Sequence, residues 1–374
     1  MNKQAPKVYV GLSGGVDSSV AAALLKNQGY DVSGVYMKNW SQDLPGMICP
    51  WREDYQAAKR VAVQLDIPFK MFDFETQYRQ KVVDYMVREY QAGRTPNPDI
   101  MCNQEIKFKL FLETSLADGA DLIATGHYAR IQRQAASPTA RRPPHTALLS
   151  GIDKNKDQSY FLYRLTDYAL SRSLMPIGFC EKPAVRELAR KFGLATAEKK
   201  DSQGICFVGQ VGIKDFLKHE LGEQKPGGII DQNGVKISQH DGAIYYTIGQ
   251  RHGLDVGGGL PYYVTGKDMA KNEVYVTTDL DDQNLWRNQL KLTNLHWINA
   301  VPDYQLKTIN YKLRTRYRAP LTKITKIVAE DGPWKSRKCG VINIFLEDEV
   351  RAITPGQSAV IYDGEQVLGG GIVV

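Results

Sequence analysis

A glycine-rich polar stretch near the start of the chain constrains the fold more than any other feature. The apolar run Val8-Tyr9-Val10 precedes it, and the stretch reads Gly11-Leu12-Ser13-Gly14-Gly15-Val16-Asp17-Ser18-Ser19. Apolar residues then recur at helical spacing until Gly29, a residue type that commonly ends helices. The pattern predicts a strand-to-helix turn whose backbone N–H groups form a binding site for an anion. A turn that binds nothing is the alternative, but the strand, loop and helix signals agree with one another.

This loop differs from the Walker A loop, which carries a lysine that reaches the β- and γ-phosphates of a nucleotide. No lysine occurs between Gly11 and Ser19. The Ser-Gly-Gly-x-Asp-Ser pattern instead resembles the loop of the ATP-pyrophosphatase (PP-loop) enzymes. That resemblance implies an enzyme that splits ATP into AMP and pyrophosphate and leaves an adenylated substrate.

The size and composition of the chain fit a multidomain globular protein. Its 374 residues are long for one core, so two or three domains are expected. The first residues lack the apolar core of a signal peptide, and no apolar stretch could span a bilayer, so we expect a cytoplasmic protein without membrane contact. The five scattered cysteines form no Cys-x-x-Cys pair, and no protein-bound metal site is predicted.

Strand and helix signals alternate over residues 7–130, which predicts an α/β domain with a doubly wound parallel sheet. In such sheets the ligand lies beyond the carboxyl ends of the strands. Met37 ends a predicted strand there and could cover an adenine ring, although a core methionine is an equal alternative. Gly126 would let a nucleotide approach the backbone, whereas His127 alone would more often be structural. Strands are predicted near 7–12, 31–37, 69–74 and 121–125, and helices near 16–28, 53–66, 75–91 and 105–117.

Two cysteines lie in segments that could reach this crevice. Asp99 and Cys102 stand three residues apart at the start of a helical pattern, after a non-helical path fixed by two prolines and an asparagine. A helix N-terminus lowers the pKa of a thiol, which would suit a nucleophile with Asp99 as an acid–base neighbour. A turn with a buried cysteine is also consistent with this spacing. Cys206 follows a glycine and two lysines, and composition alone favours a buried cysteine there.

The pattern changes beyond residue 210, where short strands and Gly/Asn/Asp turns replace long helices. One amphipathic helix is predicted near 211–221, and the all-β pattern after about 285 favours a small barrel. Residues 286–374 hold 13 Lys and Arg against 8 Asp and Glu, which favours a polyanion partner or a solvated surface. A strand at 309–318 would place four basic residues on one face, spaced to track phosphates: Lys312, Arg314, Arg316 and Arg318.

These patterns predict three domains and one surface loop. The domains are a catalytic domain over 1–209, a small central α+β domain over 210–285 and a β-barrel over 286–374. A proline- and arginine-rich surface loop between two strands is predicted at 133–145.

Seven motifs together resemble the bacterial tRNA-specific 2-thiouridylases, which place sulfur on the wobble uridine at position 34. The resemblance runs along nearly the whole chain, and its two cysteine motifs are far more specific than the loop. The motifs are the loop at 11–18, Asn97-Pro98-Asp99-x-x-Cys102-Asn103, Ala124-Thr125-Gly126-His127-Tyr128, Lys156-Asp157-Gln158-Ser159-Tyr160, Asp201-Ser202-Gln203-Gly204-Ile205-Cys206-Phe207, Tyr246-Thr247-Ile248-Gly249-Gln250-Arg251 and Pro355-Gly356-Gln357.

The resemblance implies where the substrates bind. ATP, with Mg²⁺ on its phosphates, would contact Gly11, Leu12, Ser13, Gly14, Gly15, Val16, Asp17, Ser18, Met37 and Gly126. Uridine 34 would be flipped into the crevice beside Asn97, Pro98 and Asp99, since its C2 oxygen is inaccessible in a stack. Further tRNA contacts are implied for His127, Lys156, Asp157, Gln158, Arg316, Tyr317 and Gln357.

The resemblance also implies the sulfur chemistry. The C2 oxygen would attack the α-phosphate, and Asp99 would orient or deprotonate. Cys206 would carry sulfur as a persulfide received from a sulfur-relay protein or a cysteine desulfurase. Cys102 would free that sulfur, either by releasing sulfide or by forming a disulfide with Cys206.

Other functional classes compete with this interpretation. The nearest is another PP-loop enzyme, such as a tRNA lysidine synthetase or an amidotransferase-type synthetase, neither of which needs two reactive cysteines. An RNA-binding protein that only senses ATP, or a structural ATP-binding protein, would not release pyrophosphate in a tRNA-dependent reaction.

Overall fold

A five-stranded parallel sheet organises the first half of the chain. The computed structural model describes residues 5–44, 48–134, 145–200, 212–257, 259–299, 301, 310–330 and 340–374. The sheet order is β3-β2-β1-β4-β7, with every pairing parallel. The predicted α/β sheet is confirmed, and β7 is a strand that the sequence pattern did not reveal. The strands of this half are β1 (Lys7–Gly11), β2 (Asp31–Lys38), β3 (Phe69–Asp73), β4 (Leu122–Ala124), β5 (Ala129–Gln134), β6 (His145–Ser150) and β7 (Ser173–Leu174).

Helices cover both faces of this sheet. In β1, Val8 and Val10 pack with α1, α2 and α6, whereas Tyr9 packs on the opposite face with α3 and α4. Within the described ranges, no helix is long and apolar enough to cross a membrane. The helices are α1 (Val16–Asn27), α2 (Trp51–Gln64), α3 (Glu75–Tyr78, the π-helical Arg79–Val83 and Asp84–Gln91), α4 (Pro98–Met101, the π-helical Cys102–Leu110 and Phe111–Ala117), α5 (Asp167–Ser171) and α6 (Lys182–Lys191), with 3₁₀ turns at Ser159–Leu162 and Pro176–Phe179.

The helix that carries Cys102 begins earlier than the sequence pattern predicted. It begins at Pro98 rather than near residue 105, because Asn97 is extended and proline suits the first helical positions. Asp99 and Cys102 therefore lie within the first turns of α4. The backbone becomes π-helical from Cys102 onward, an irregularity frequent at functional sites.

A small four-stranded sheet forms the central part of the chain. Its order is β10-β11-β8-β9, built from β8 (Gly227–Ile230), β9 (Lys236–His240), β10 (Tyr263–Asp268) and β11 (Glu273–Thr277). The predicted helix near 211–221 is confirmed as α7 (Ile213–Leu221), and a 3₁₀ turn follows at Ala243–Tyr245. Phe216 and Leu217 of α7 are fully buried in the core that also holds Ile229 and Val274 of the sheet.

The last six strands close into an antiparallel barrel, which confirms the predicted barrel. The order is β12-β15-β14-β13-β16-β17, and β17 pairs back with β12. Closure removes exposed sheet edges, and apolar side chains such as Leu292, Ile344 and Ile361 fill the interior. The strands are β12 (Trp286–Trp297), β13 (Tyr311–Arg314), β14 (Thr322–Ala329), β15 (Ile342–Arg351), β16 (Ser358–Asp363) and β17 (Gln366–Val373).

A hairpin from the first half of the chain extends the barrel sheet. Strands β5 and β6 pair with each other, and β6 also pairs with β17, with Leu148 opposite Val367. These are the two strands predicted to flank the loop at 133–145. Residues 135–144 of that loop lie outside the described residues.

The prediction of one basic strand over 309–318 is wrong beyond Arg314. Strand β13 ends at that residue, and Arg318 has a φ of +63° in the turn that follows. Arg314 pairs with Asp157 at 3.1 Å, and Arg318 Nε donates to the carbonyl of Asn155 at 2.9 Å. The four basic residues therefore do not form a single row along one strand face.

Candidate active site

The glycine-rich loop lies at the carboxyl end of β1 and opens α1. Ser18 Oγ accepts from the Ser13 amide at 3.2 Å and donates to the Gly15 carbonyl at 3.2 Å. Gly14 has a φ of +75°, and a Cβ there would lie 2.5 Å from the backbone oxygen of Asp54. The loop is thus fixed by its own hydrogen bonds and by close packing on α2, with its N–H groups at the start of a helix.

Two residues predicted to contact ATP border this loop. A Cβ on Gly11 would lie 2.8 Å from Cε of Met37. A Cβ on Gly126 would lie 2.7 Å from the backbone C of Asp17 and from the backbone N of Ser18. The ends of β1, β2 and β4 therefore meet at one edge of the sheet, and the absent side chain at Gly126 allows the close approach.

A lysine from a distant part of the chain neutralises the carboxylate in the loop. Lys182 Nζ lies 2.7 and 2.9 Å from the two carboxylate oxygens of Asp17, and Tyr128 Oη donates to Asp17 Oδ1 at 2.7 Å. Lys182 begins α6, 165 residues after Asp17, and is 9% exposed. Sequence reasoning missed Lys182, because the only signal was the lack of a lysine in the loop itself.

His127 connects the loop edge to α4. Its Nδ1 lies 2.8 Å from Thr125 Oγ1, and its ring centroid lies 5.5 Å from that of Phe108 in α4. Burial lowers the pKa of His127 well below its usual value, and the charge of Lys107 lowers it further, so the imidazole is neutral at pH 7. The predicted contact of His127 with tRNA stays a prediction.

The first turns of α4 carry the predicted thiol and its acidic neighbour. Cys102 is buried, and Asn103 Nδ2 donates to the carbonyl of Phe161 at 3.2 Å. Burial raises the pKa of the Asp99 carboxyl above its usual value, and Lys107 opposes this shift. Phe108 of α4 packs on His127, and Phe111 lies 3.6 Å from a Cβ built on Gly11, so the middle of α4 lies beside the loop edge.

The barrel and the central part of the chain together hold Thr95 and Pro96, the two residues that lead into α4. The Thr95 amide donates to the carbonyl of Pro355 at 2.9 Å, and Gln357 Nε2 donates to the carbonyls of Thr95 and Pro96 at 2.8 and 3.3 Å. The Thr95 hydroxyl lies 3.0 Å from the Thr247 hydroxyl of the central part. We call these contacts the Thr95 junction; they join the barrel and the central sheet to the start of α4.

Two more residues predicted to contact tRNA are packed against other parts of the chain. Arg316 Nη2 donates to Thr354 Oγ1 at 3.1 Å and to the carbonyl of Ile248 at 3.2 Å, and burial lowers the pKa of this guanidinium. The Tyr317 ring lies 4.6 Å from that of Phe161. Their contact with tRNA, like that of Gln357, stays a prediction.

The Lys156-Asp157-Gln158 motif forms part of the turn after β6. Asp157 is 3% exposed and accepts from the amides of Gly151 and Ser159 at 3.0 and 3.1 Å. Gln158 Oε1 accepts from the Tyr128 amide at 3.0 Å. The Asp157 carboxylate is thus bound within the chain, and the tRNA contacts predicted for this motif stay predictions.

Cys206, the second predicted thiol, lies outside the described residues, as do all residues from 201 to 211. Just before that stretch, Lys199 Nζ pairs with Asp54 Oδ1 at 2.7 Å. Asp54 is the residue whose backbone packs against Gly14 of the loop. The described chain therefore runs beside the loop shortly before Cys206. Among the described residues, no group of three His, Cys, Asp or Glu side chains could hold a metal ion.

Fold and loop together define an α/β protein of the PP-loop type with two appended β-rich parts. Three family models match it in order: "tRNA methyl transferase HUP domain" at 6–210, "tRNA methyl transferase PRC-barrel domain" at 214–278 and "Aminomethyltransferase beta-barrel domain" at 287–373. The tRNA-specific 2-thiouridylase MnmA of Bacillus subtilis is 46% identical over 98% of this chain and 94% of its own. The enzyme of the same name from Bacillus mycoides is 45% identical over 100% and 96%. The chain therefore belongs to the family of tRNA-specific 2-thiouridylases.

Similarity to solved structures is weak, as one example shows. A 4-thiouridine synthetase in complex with RNA and ATP shares 16% identity over 58% of this chain and 50% of its own, with a TM-score of 0.36. That similarity is too low to bear on function.

Proposed function

We propose that this protein is an ATP-dependent tRNA 2-thiouridylase, which activates the C2 oxygen of uridine 34 and replaces it with sulfur. The observation that carries the proposal is that the edge of the glycine-rich loop contacts the middle of α4, through Gly126, His127 and Phe108. The first turns of the same helix carry the Asp99 carboxyl and the Cys102 thiol, which supports a role for both groups in chemistry at the loop. The identity with named 2-thiouridylases over nearly the whole chain supports the same activity.

The first half-reaction activates the base. The phosphates of ATP, accompanied by Mg²⁺, bind residues 11–18, and the nucleoside lies against Met37 and Gly126. The uridine C2 oxygen attacks the α-phosphorus, the bond from that phosphorus to the bridging oxygen breaks, and the electron pair leaves with pyrophosphate. The N3 proton of uridine passes to Asp99, whose burial raises the carboxyl pKa and makes it a better base. Asn97 and Pro98 line the same end of α4 and flank the base.

The second half-reaction replaces oxygen by sulfur. Cys206 carries a persulfide supplied by a sulfur-relay protein or a cysteine desulfurase. The terminal sulfur attacks C2 and AMP leaves with the former C2 oxygen. The Cys102 thiolate then attacks Sγ of Cys206, which breaks the S–S bond, releases 2-thiouridine and forms a Cys102–Cys206 disulfide. A second order of events, in which Cys102 attacks first and frees hydrosulfide, ends in the same disulfide. An external thiol reduces it in either case.

Covalent geometry is compatible with this use of Cys206. Five residues lie between Lys200 and Cys206, and the six steps of an extended chain span at most about 20 Å. Lys199 is held beside the loop by Asp54. This length is compatible with a Cys206 thiol that acts in the crevice.

The remaining assignments belong to the same proposal. The three domains are placed at 1–209, 210–285 and 286–374, and tRNA lies across all of them, with the barrel supplying the basic surface. Lys156, Gln158, Arg316, Tyr317 and Gln357 line or support that surface. We place the reaction in the cytoplasm because tRNA is its substrate.

Nucleoside mass spectrometry tests the proposal directly. Unmodified tRNA is incubated with the protein, Mg²⁺–ATP and a persulfide donor, and wild type is compared with Cys102→Ser and Cys206→Ser. Cys180→Ser is the matched control, because Cys180 lies in none of the seven motifs and burial raises the pKa of its thiol, which disfavours a reactive thiolate. Wild type and Cys180→Ser should form 2-thiouridine, whereas the other two variants should not. Pyrophosphate release without a thiolated base would favour another adenylating PP-loop enzyme.

A further inference from the structure

We propose that Lys182 is the cation that binds the β- and γ-phosphates of ATP, a role that the Walker A loop gives to a lysine of its own motif. This inference rests on the proposed function, because it requires ATP as the substrate. It assigns a substrate contact to a residue that no motif of the sequence singled out.

The position of Lys182 carries the inference. Asp17 is the second residue of α1, so its carboxylate lies where the helix N-terminus faces an anion. Lys182 Nζ is within 2.9 Å of both carboxylate oxygens, and the residue is 9% exposed. A buried ammonium group is therefore already in contact with the anion-binding end of α1.

Charge explains why the loop needs this lysine. A carboxylate in the first turn stabilises α1 through the helix dipole, but it repels an incoming triphosphate. The loop itself supplies only neutral donors, which are backbone N–H groups and serine hydroxyls. Without the ammonium of Lys182, the net negative charge of Mg²⁺–ATP would approach an uncompensated carboxylate at close range.

The anchoring of Lys182 allows the side chain to change partners. Its amide donates to Asp153 Oδ2 at 2.9 Å, which fixes the start of α6, and its ammonium lies 5.8 Å from the centre of the Tyr128 ring. Tyr128 also donates to Asp17, so Asp17 keeps a partner when the ammonium turns to phosphate. A lysine is a compact charge on a flexible stem, which suits this movement.

The same lysine helps pyrophosphate to leave. As the bond between the α-phosphorus and its bridging oxygen breaks, the electron pair moves onto that oxygen and negative charge grows on the β- and γ-phosphates. An ammonium already at those phosphates stabilises the growing charge. Lys182 thus binds the ground state and favours the leaving group.

The affinities of the protein for two different nucleotides distinguish phosphate binding by Lys182 from a purely structural role. Calorimetry with Mg²⁺ measures the affinity for α,β-methylene-ATP, which cannot be cleaved at the α-phosphate, and for AMP, which lacks the β- and γ-phosphates. Lys182→Met should weaken binding of the ATP analogue about ten- to a hundredfold, the range for a charge-assisted hydrogen bond, and change AMP binding less than about twofold. Lys182→Arg should retain most of the affinity for the analogue.

The matched control is Lys70→Met. Lys70 pairs with Asp118 at the opposite end of the sheet, before β4 begins. Its removal breaks a lysine–carboxylate pair far from the loop and should leave both affinities unchanged. Retained AMP binding shows that each variant is folded, and Lys182→Gln replaces Lys182→Met should the latter lose AMP binding.

A double-mutant cycle with Asp17→Asn completes the test. If Lys182 only shields Asp17, adding Lys182→Met to Asp17→Asn should not weaken binding of the analogue any further. If Lys182 binds phosphate, the double variant should bind at least about tenfold more weakly than Asp17→Asn. An equal loss for analogue and AMP, or no additional loss in the Asp17→Asn background, overturns the inference. A wild-type protein that binds neither nucleotide overturns the proposed function instead.

Discussion

Replacing Gln357 by alanine should loosen the segment that leads into α4 even when no tRNA is present. The Gln357 amide donates to the carbonyl of Thr95 at 2.8 Å and more weakly to that of Pro96 at 3.3 Å. Thr95 is 8% exposed, so water cannot easily replace the lost donor. Alanine would leave both carbonyls without this partner.

The cost follows from the desolvation of a buried carbonyl. A neutral hydrogen bond contributes about 0.5–1.5 kcal/mol, but a buried acceptor left unpaired costs about 1–3 kcal/mol. The long contact to Pro96 adds little. We therefore expect Gln357→Ala to lower the local stability of the Thr95 junction by about 1–3 kcal/mol, which is about a 5- to 150-fold increase in its opening. Gln357→Glu should cost more, because it turns a carboxylate towards two carbonyl oxygens.

Amide hydrogen exchange at Thr95 measures this opening. The Thr95 amide donates to the carbonyl of Pro355 at 2.9 Å and is released only when the junction opens. Exchange in tRNA-free protein should accelerate in Gln357→Ala and remain unchanged in Gln232→Ala, a glutamine exposed in the turn between β8 and β9. Unchanged Thr95 exchange in Gln357→Ala, together with weaker tRNA binding, would refute the reasoning and assign Gln357 to direct contact with RNA.

Three further outcomes are expected. Gly126→Ala should sharply reduce ATP affinity in calorimetry, because its Cβ would lie 2.7 Å from the loop backbone, whereas Gly257→Ala, with no atom within 4 Å of the new Cβ, should not. Lys267 should titrate by NMR with a midpoint near pH 8 rather than 10.5, since burial lowers its pKa; a midpoint above 10 would contradict that burial. The pKa of folded His127 lies below its unfolded value of 6.5, so the unfolded state binds more protons and stability falls as pH drops below about 6.5. Urea unfolding at pH 5.5 and 7.5 should show a smaller loss in His127→Gln, and an equal loss would count against a neutral folded imidazole.

The glycine-rich loop was predictable because the residues that determine its geometry lie close together in the sequence. An apolar run, a glycine-rich turn and a helical period follow one another within about twenty residues, and each fixes a piece of geometry. Met37 and Gly126 could be added because parallel strands end at one sheet edge. The structure brings both to the loop, as predicted from that rule.

The start of α4 shows the limit of local patterns. Prolines indicate a break in helical structure, so the helix was bounded at residues 105–117, although Asp99 and Cys102 were placed at the start of a helical pattern. In the structure Pro98 lies at the beginning of the helix, where its missing N–H costs nothing. The same residue type ends or begins a helix according to the conformation of the residue before it, which the sequence does not reveal.

The prediction of one basic strand over 309–318 was wrong for a related reason. Alternation of apolar and basic residues predicts one face of a strand, but it does not predict where the strand ends. Arg314 pairs with Asp157, which lies 157 positions earlier in the chain. The strand ends at Arg314, and the chain turns immediately afterwards. Lys182 and Asp17 are similarly distant. Contacts of this kind depend on packing between elements, which the spacing of residues along the chain does not encode.

The Thr95 junction gives the barrel a part in the active site that its position in the chain would not suggest. The amide of Thr95 donates to the carbonyl of Pro355, and the carbonyl of Thr95 accepts from Gln357. The hydroxyl of Thr95 contacts the hydroxyl of Thr247. All three polar groups of this residue are thus used, each by a segment far along the chain. Any movement of the barrel relative to α4 must break at least two of these bonds, so the barrel and the start of α4 move together. If tRNA binds the barrel as proposed, these bonds hold it in a fixed relation to Asp99 and Cys102.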